Sequence, residues 1–275
     1  MSRLLDSKPF VADGSASRIA LELDWYRRLL VDGQAAYELG NVCDTCPFYF
    51  ERLGGITEGG SPAVAVVTAL SGGADDLSNP ILEAVSPVLP AGTYRACLID
   101  FVPELVWPGS EQDYFTHEHA ELFGFDTQWG LPHYPRTPYY RAGDVPLDDK
   151  ERLFEFVVPL VPPRFLDAKA VAEYEGTDSL GAALAIGVLD VKTPAVWTNN
   201  DRGLPYPPDT GGPPPVESHA CLVHYLLDGH HKTYAAAATN RSLRLVSLVA
   251  LEAGVSTGDD LERALSGLAL PSVEE

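Results

Sequence analysis

The sequence predicts a mixed α/β (α+β) protein, and three observations predict it. Short apolar runs rich in β-branched residues, Leu153 to Val161, Ala182 to Val191 and Leu243 to Leu251, have the length and composition of strands. Stretches with helical spacing, Phe165 to Glu175 and Gly258 to Ser266, lie among them. A further apolar run, Cys221 to Leu227, ends abruptly at Asp228-Gly229 and passes into the alanine-rich run Ala235 to Ala238, which reads as strand, tight turn, helix. With 45% hydrophobic residues in 275, the chain has ample material for a core.

Taken in order, Leu21, Leu23, Tyr26, Leu29, Leu30, Ala36 and Leu39 form an imperfect stripe that predicts a helix over 16–41. Cys43-Asp44-Thr45-Cys46-Pro47 breaks it. Phe48, Tyr49, Phe50 and Leu53 then predict a short helix with Pro47 in its first turn. Ala63 to Leu70 reads as a strand or a buried helix closed by Gly72-Gly73, and Tyr94 to Val106 as a strand interrupted at Pro103. Residues 107–148 show no periodicity and read as a long ordered loop, a length that points to function. Leu153 to Val161 ends at Pro162-Pro163, and the Pro- and Gly-rich stretch Thr193 to Pro215 is a loop. The helix expected from Gly258 carries Leu261, Ala264 and Leu265 on one face, Asp259-Asp260 at its amino end and Gly267 as its stop. The acidic tail after Leu270 is expected to fray. This organisation divides the chain into an N-terminal α/β region, 1–150, and a second unit, 151–275.

The formal net charge of −20 repels phosphate backbones and argues against a nucleic-acid partner. No apolar run approaches the roughly 20 residues that span a bilayer, and residues 1–14 lack the apolar core of a signal peptide. The expectation is a cytoplasmic protein without a membrane partner. Against the acidic background, His230, His231, Lys232, Arg241 and Arg244 cluster in sequence.

That cluster begins where a helix begins. Free backbone N–H groups and the helix dipole favour negative charge there, and Gly229 permits a tight turn and close ligand approach. Two imidazoles and an ammonium beside unpaired amides can stabilise phosphoryl oxygens, and histidine can pass a proton near neutral pH. A structural turn, with Asp228 capping the helix and the histidines exposed, is the plainer alternative. His219 and His224 flank the motif on the preceding strand and read as structural.

The order strand, helix, strand, strand–turn–helix, strand, with Asp228-Gly229-His230-His231-Lys232 at the turn, resembles the ParB/sulfiredoxin-like superfamily, and within it the ADP- or ATP-dependent free serine kinases. The resemblance covers roughly residues 150–255 and makes the C-terminal half a ParB-like domain. It implies a nucleotide-phosphate site in which Gly229, His230, His231, Lys232 and Thr233 hold phosphate and Asp228, His230 and His231 take catalytic roles. ATP or ADP with Mg²⁺ would be the cofactors. The sequence departs from that family twice. Lys232 replaces an arginine, which keeps the charge and loses the bidentate grip. No glutamate follows Pro162-Pro163; Asp167 stands there as its substitute, and Asp228 or Asp167 would be the acid–base or Mg²⁺ group. The leading expectation is phosphoryl transfer to a small molecule, or nucleotide hydrolysis. A module that senses a nucleotide or phosphate without catalysis is the alternative.

A third expectation rests on metal. Cys43-x-x-Cys46 has the spacing of half a zinc site or of a redox pair, with two reduced, buried thiols as the default reading. His117 and His119 are candidates to complete a zinc site, since His-x-His on a strand points both rings to one face. Such a site would make the chain a zinc-stabilised interaction protein. Thr116 to His119 with Glu121 and His133 is a second candidate metal cluster, set among aromatics suited to a small-molecule pocket.

Overall fold

The computed structural model describes residues 2–54, 64–124, 135–194 and 216–269. Its centre is an eight-stranded sheet built from β1 (Arg3–Ala12), β6 (Gly92–Phe101), β7 (Glu104–Val106), β8 (Tyr139–Pro146), β9 (Glu151–Pro159), β10 (Ala182–Lys192), β11 (Ser218–Asp228) and β12 (Leu243–Ala250), in the order β1-β6-β12-β10-β11-β9-β8-β7. β12 pairs β10 in parallel and β9 pairs β11 in parallel; the other five pairings are antiparallel. The parallel pairs need crossovers, which α4 (Ala168–Glu175) and α5 (His230–Thr239) supply. The mixed α/β class and the element order of the second half are as the apolar runs predict.

The division at residue 150 does not separate two sheets. β1, β6, β7 and β8 come from before that point and β9 to β12 from after it, and all join one hydrogen-bonded surface. β9 follows β8 by a short turn, so the proposed boundary falls inside a β-hairpin. The stretch before residue 14, which carries no clear pattern, forms β1 at the sheet edge.

Each face of the sheet has its own core. One face packs α1 (Val64–Ser71), α2 (Asn79–Val85) and a second, four-stranded sheet through Val66, Leu70, Ile81, Val85, Leu29 and Tyr37. The other packs α5 and α6 (Gly258–Ala269) through Ala236, Leu261, Ala264, Leu265 and Leu268. Alternation sorts the strands: Cys221, Val223 and Tyr225 of β11 join the first core, and Ala220, Leu222 and Leu226 the second.

The second sheet corrects the helix expected over 16–41. Those residues form β2 (Ile19–Leu23), β3 (Tyr26–Val31) and β4 (Gln34–Asn41), with β5 (Glu51–Arg52) at the edge. The deciding signal is Asp32-Gly33. Val31 pairs Gln34 across it, and both turn residues have positive φ, 50° and 73°. A two-residue loop of that type closes a hairpin and ends a helix. The short helix expected after Pro47 is likewise extended chain ending in β5. Phe48 and Phe50 insert instead into an aromatic cluster with Phe115, Tyr139 and Phe156. From Val64 on, the run expected over Ala63 to Leu70 takes the helical one of its two readings, as α1; Ala63 lies outside the described residues. The long loop expected over 107–148 contains α3 (Glu118–Phe123) and β8. Gly267 does not stop α6 but sits buried within it, where a Cβ would meet Leu147 at 2.7 Å. The stretch 195–215, His133 and the tail from Leu270 lie outside the described residues.

The two sheets are fastened by a buried ion pair. Arg27 of β3 donates from Nη1 to Asp190 Oδ1 of β10 at 2.7 Å and from Nη2 to Oδ2 at 2.5 Å. The same guanidinium reaches the carbonyls of Leu39 and Ala253. Lys192, also buried, donates to the Cys43 carbonyl at 2.6 Å and lies 3.9 Å from Asp190. Among the described residues no helix is long and apolar enough to cross a membrane. Replacing Asp190→Ala strands two buried cations, so urea unfolding should show a loss of roughly 3–5 kcal/mol. The paired change Arg27→Met with Asp190→Leu should recover most of it. Equal midpoints for the natural and Asp190→Ala proteins would refute this account of how the sheets are joined.

Candidate functional site

The turn between β11 and α5 forms as its sequence predicts. Gly229 is left-handed, with φ 90° and ψ 19°, and is the residue before the first turn of α5. A Cβ there would meet the Ala183 side chain at 2.7 Å and its Cα at 3.0 Å. Glycine is therefore required by φ and by close approach to β10, where the sequence reading gives it to close approach of a ligand.

The side chains of the motif are largely committed to the fold. Lys232 is buried and donates from Nζ to the Ala182 carbonyl at 2.9 Å. Burial pushes its ammonium down from the usual lysine range, with Asp228 opposing. His230 is buried, its Nε2 has no hydrogen-bond partner, and burial lowers its pKa to about 3. The burial of His230 departs from the exposed-histidine alternative and follows from the helix packing inward. His231 is half-buried, and its Nε2 accepts from the Asp167 backbone N–H at 3.1 Å. Thr233 donates its hydroxyl to the Gly229 carbonyl at 3.0 Å.

Asp167 is placed near the turn by that contact, but as a helix cap. Its Oδ1 accepts from the amides of Lys169 and Ala170 at 2.8 and 2.9 Å, and these bonds hold its carboxyl below the usual range. Asp228 is half-buried, and its carboxylate makes no hydrogen bond or ion pair with a described residue; it does not cap α5. The amides of His230, His231 and Lys232 also have no acceptor among the described residues, while Thr233 N–H bonds Gly229 at 2.8 Å. The turn thus offers three consecutive unpaired donors and one unpartnered carboxylate.

The metal expectation is corrected. Cys43 and Cys46 are joined in a disulfide, so neither sulfur is a thiolate ligand or a reduced thiol. His117 and His119 start a helix rather than lying on a strand. Two positions apart on a helix they point away from each other: His117 is exposed and His119 buried. His119 packs against Tyr114, Phe115 and Phe123, both ring nitrogens lack a hydrogen bond of good geometry, and burial lowers its pKa to about 3. Among the described residues no three His, Cys, Asp or Glu side chains converge as a metal site.

Two further arrangements emerge only in three dimensions. A polar line crosses the helix-covered face of the sheet: Ser247 Oγ meets His224 Nδ1 at 2.7 Å, His224 Nε2 meets Glu155 Oε1 at 2.9 Å, and Ser2 donates to Glu155 Oε2. Gly187 and Gly143 on the neighbouring strands make room, since a Cβ at either would press on Ser247 or on Ser2 and Glu155. The order hydroxyl, imidazole, carboxylate is that of a nucleophile triad. Ser247, His224 and Glu155 are all wholly buried, so the line serves the core and not a substrate. On the opposite face a cavity of about 290 Å³ is lined by Glu118, Glu121, Leu122, Asp144, Arg152, Phe154, Val216 and His219. Glu155 and His224 each interrupt an apolar run, which is the sequence signal for the first arrangement. The second draws on α3, β8, β9 and β11 and has no local signal.

Comparison with protein-family models, with curated proteins and with solved structures finds no match to this chain.

The buried histidines make stability acid-sensitive. Burial lowers the pKa of His119 and His230 to about 3, from the ordinary histidine value of about 6.5. The unfolded chain therefore binds more protons between those limits, and stability falls as pH drops from 6.5 toward 3. Each histidine contributes up to roughly 1.4 kcal/mol per pH unit in that window. His119→Phe, which keeps the aromatic packing, should flatten the fall between pH 6.5 and 4 and cost little at pH 7.5. Urea titrations at the three pH values check this, and an unchanged acid slope in the variant would count against it.

Proposed function

We propose that this chain binds a phosphorylated small molecule or nucleotide, ATP or ADP foremost, at the amino end of α5, and binds it without transferring the phosphoryl group. The observation that carries the reading is the run of three unpaired amides, His230 to Lys232, following left-handed Gly229. Buried helix ends need partners, and an anion at this position satisfies several donors at once. The ammonium of Lys232 adds charge beneath the turn. The resemblance to the ParB/sulfiredoxin-like superfamily implies a phosphate held by Gly229 to Thr233, a stretch that includes these amides.

Binding is favoured over catalysis by how the side chains are used. Asp167 caps α4, His231 holds the Asp167 amide, Lys232 holds the Ala182 carbonyl, and His230 faces the interior. Phosphoryl transfer would require one of them to leave its present partner. Asp228 remains. Its free carboxylate would hold Mg²⁺, and the ion's charge would offset the repulsion between phosphate and the acidic residues of the turn.

Calorimetric titration with ATP, ADP and inorganic phosphate, with and without Mg²⁺, tests the reading. Mg²⁺-dependent nucleotide binding is expected, with no ADP or phosphate released in the presence of a metabolite panel. His231→Glu puts a carboxylate at the amino end of the helix, where it supports the helix and competes with an anion. That variant should keep its stability within about 1 kcal/mol and lose about tenfold or more in nucleotide affinity. Absence of nucleotide and phosphate binding to the natural protein would sink the proposal, and turnover would overturn its non-catalytic part.

A further inference from the structure

The cavity on the face away from α5 is a separate place. His219 stands near the start of β11 and Asp228 at its end, so roughly 30 Å of strand divides them at the usual rise per residue. Its charges are arranged in a definite way. Arg141 donates to Glu118 Oε1 at 2.7 Å, and Arg152 donates twice to Asp144 Oδ1, at 3.0 and 2.6 Å. Asp144 is thereby satisfied. Glu118 Oε2 is shielded from water and has no hydrogen-bond partner among the described residues. Glu121 is exposed at the rim and joins no ion pair with a described residue, and Arg152 keeps Nη1 free.

His219 completes the lining. It is 97% buried, being only 3% exposed. The Tyr114 hydroxyl lies 2.8 Å from Nδ1, and Nε2 has no partner among the described residues. With Tyr114 as the donor to Nδ1, the ring proton sits on Nε2 and is offered to the cavity. Burial, reinforced by His119 and Arg152, holds His219 well below the usual histidine range, so the ring is neutral. Phe154, in edge contact with His219 at 4.6 Å, and Leu122 supply an apolar floor.

Two carboxylates, Glu118 and Glu121, and two donors, Arg152 and His219, therefore line one small space. We propose that the cavity binds a compact zwitterion, an α-amino acid, with its ammonium against Glu118 and Glu121 and its carboxylate against Arg152 and His219. The volume is near the lower limit of ligand pockets, about 300 Å³, which selects a small molecule. A simple amine would leave Arg152 and His219 unmatched and would lie close to two guanidiniums. A simple carboxylic acid would face Glu118 and Glu121 with no positive charge to meet them. Only a ligand carrying both charges meets the groups of both signs that line the space.

The experiment is calorimetric titration of the full chain with the standard amino acids. For each that binds, the amine and the carboxylic acid with the same side chain serve as matched controls. At least one amino acid should bind, with both one-charge analogues weaker by about tenfold or more. Glu118→Gln should lose a similar factor. Glu121→Gln, at an exposed position that leaves the Arg141 pair intact, should weaken binding about threefold and keeps the test open if the first variant unfolds. In the unmodified protein, the imidazole ¹⁵N resonances of His219 should shift on saturation, which locates the ligand. The proposal is overturned if no amino acid binds, if either one-charge analogue binds as well as the zwitterion, or if the His219 resonances stay in place. Nucleotide titrated at saturating amino acid should bind unchanged, so failure here is distinct from failure at the α5 turn.

Discussion

The Arg27–Asp190 pair is the constraint on which the arrangement of this protein depends. A four-stranded sheet of its small size cannot bury both faces alone, and here one face lies on the central sheet through Leu29, Tyr37, Phe48 and Phe50. Apolar packing is non-directional and tolerates sliding. A bidentate guanidinium–carboxylate contact does not, because its two hydrogen bonds need one orientation. Asp190 also accepts from the Val255 amide at 2.8 Å, and Arg27 reaches the Ala253 carbonyl. One carboxylate thus ties together the small sheet, β10 and the chain leaving β12. Lys192 extends the same contact to the Cys43 carbonyl, beside the Cys43–Cys46 disulfide.

A second polar device works on the other face. The line Ser2, Glu155, His224, Ser247 runs across strands that are apolar on either side of it. A buried polar group is costly unless paired, and here every link is paired. A one-residue slip of β9 or β11 would turn Glu155 or His224 to the opposite face and break the line. The network therefore adds register specificity to a sheet whose alternating residues are otherwise interchangeable. It also ties the start of the chain to β9. The two candidate ligand sites lie on opposite sides of this frame, one at the carboxyl end of β11 and one near its start. Rigid strands between them allow each site its own geometry.

Much of the second half was legible because its elements carry their own signals. β10 and β12, which make up most of the runs Ala182 to Val191 and Leu243 to Leu251, have side chains packed on both faces of the sheet, and continuous apolar runs are what such strands look like. The first half misleads for a physical reason. Leu21, Leu23, Leu29, Leu30 and Leu39 match a helical stripe by spacing, yet a small sheet lying on a larger one buries a similar scatter of leucines. Asp32-Gly33 decides between them, and turn chemistry outweighs an imperfect stripe. In 107–148, α3 is too short to show a period, and β8 carries the irregular Arg141–Gly143 register, so neither announces itself.

For function, the sequence by itself determined the turn. Asp228-Gly229 after an apolar strand and before alanines can hardly be anything but strand–turn–helix, and left-handed Gly229 follows from it. Which way the side chains face was decided only by tertiary structure. His230 and Lys232 turn inward because α5 packs on β10, and Asp167 is used up because α4 needs a cap where it meets His231. The cysteine pair shows the same limit: its spacing allows a metal half-site, a redox pair or inert thiols, and the folded loop brings the two sulfurs together as a disulfide. The cavity at His219 lies wholly beyond local reading. Its lining comes from four elements spread over about a hundred residues of chain, and the feature that marks it as a candidate, groups of both signs lining one space, exists only once those elements are packed.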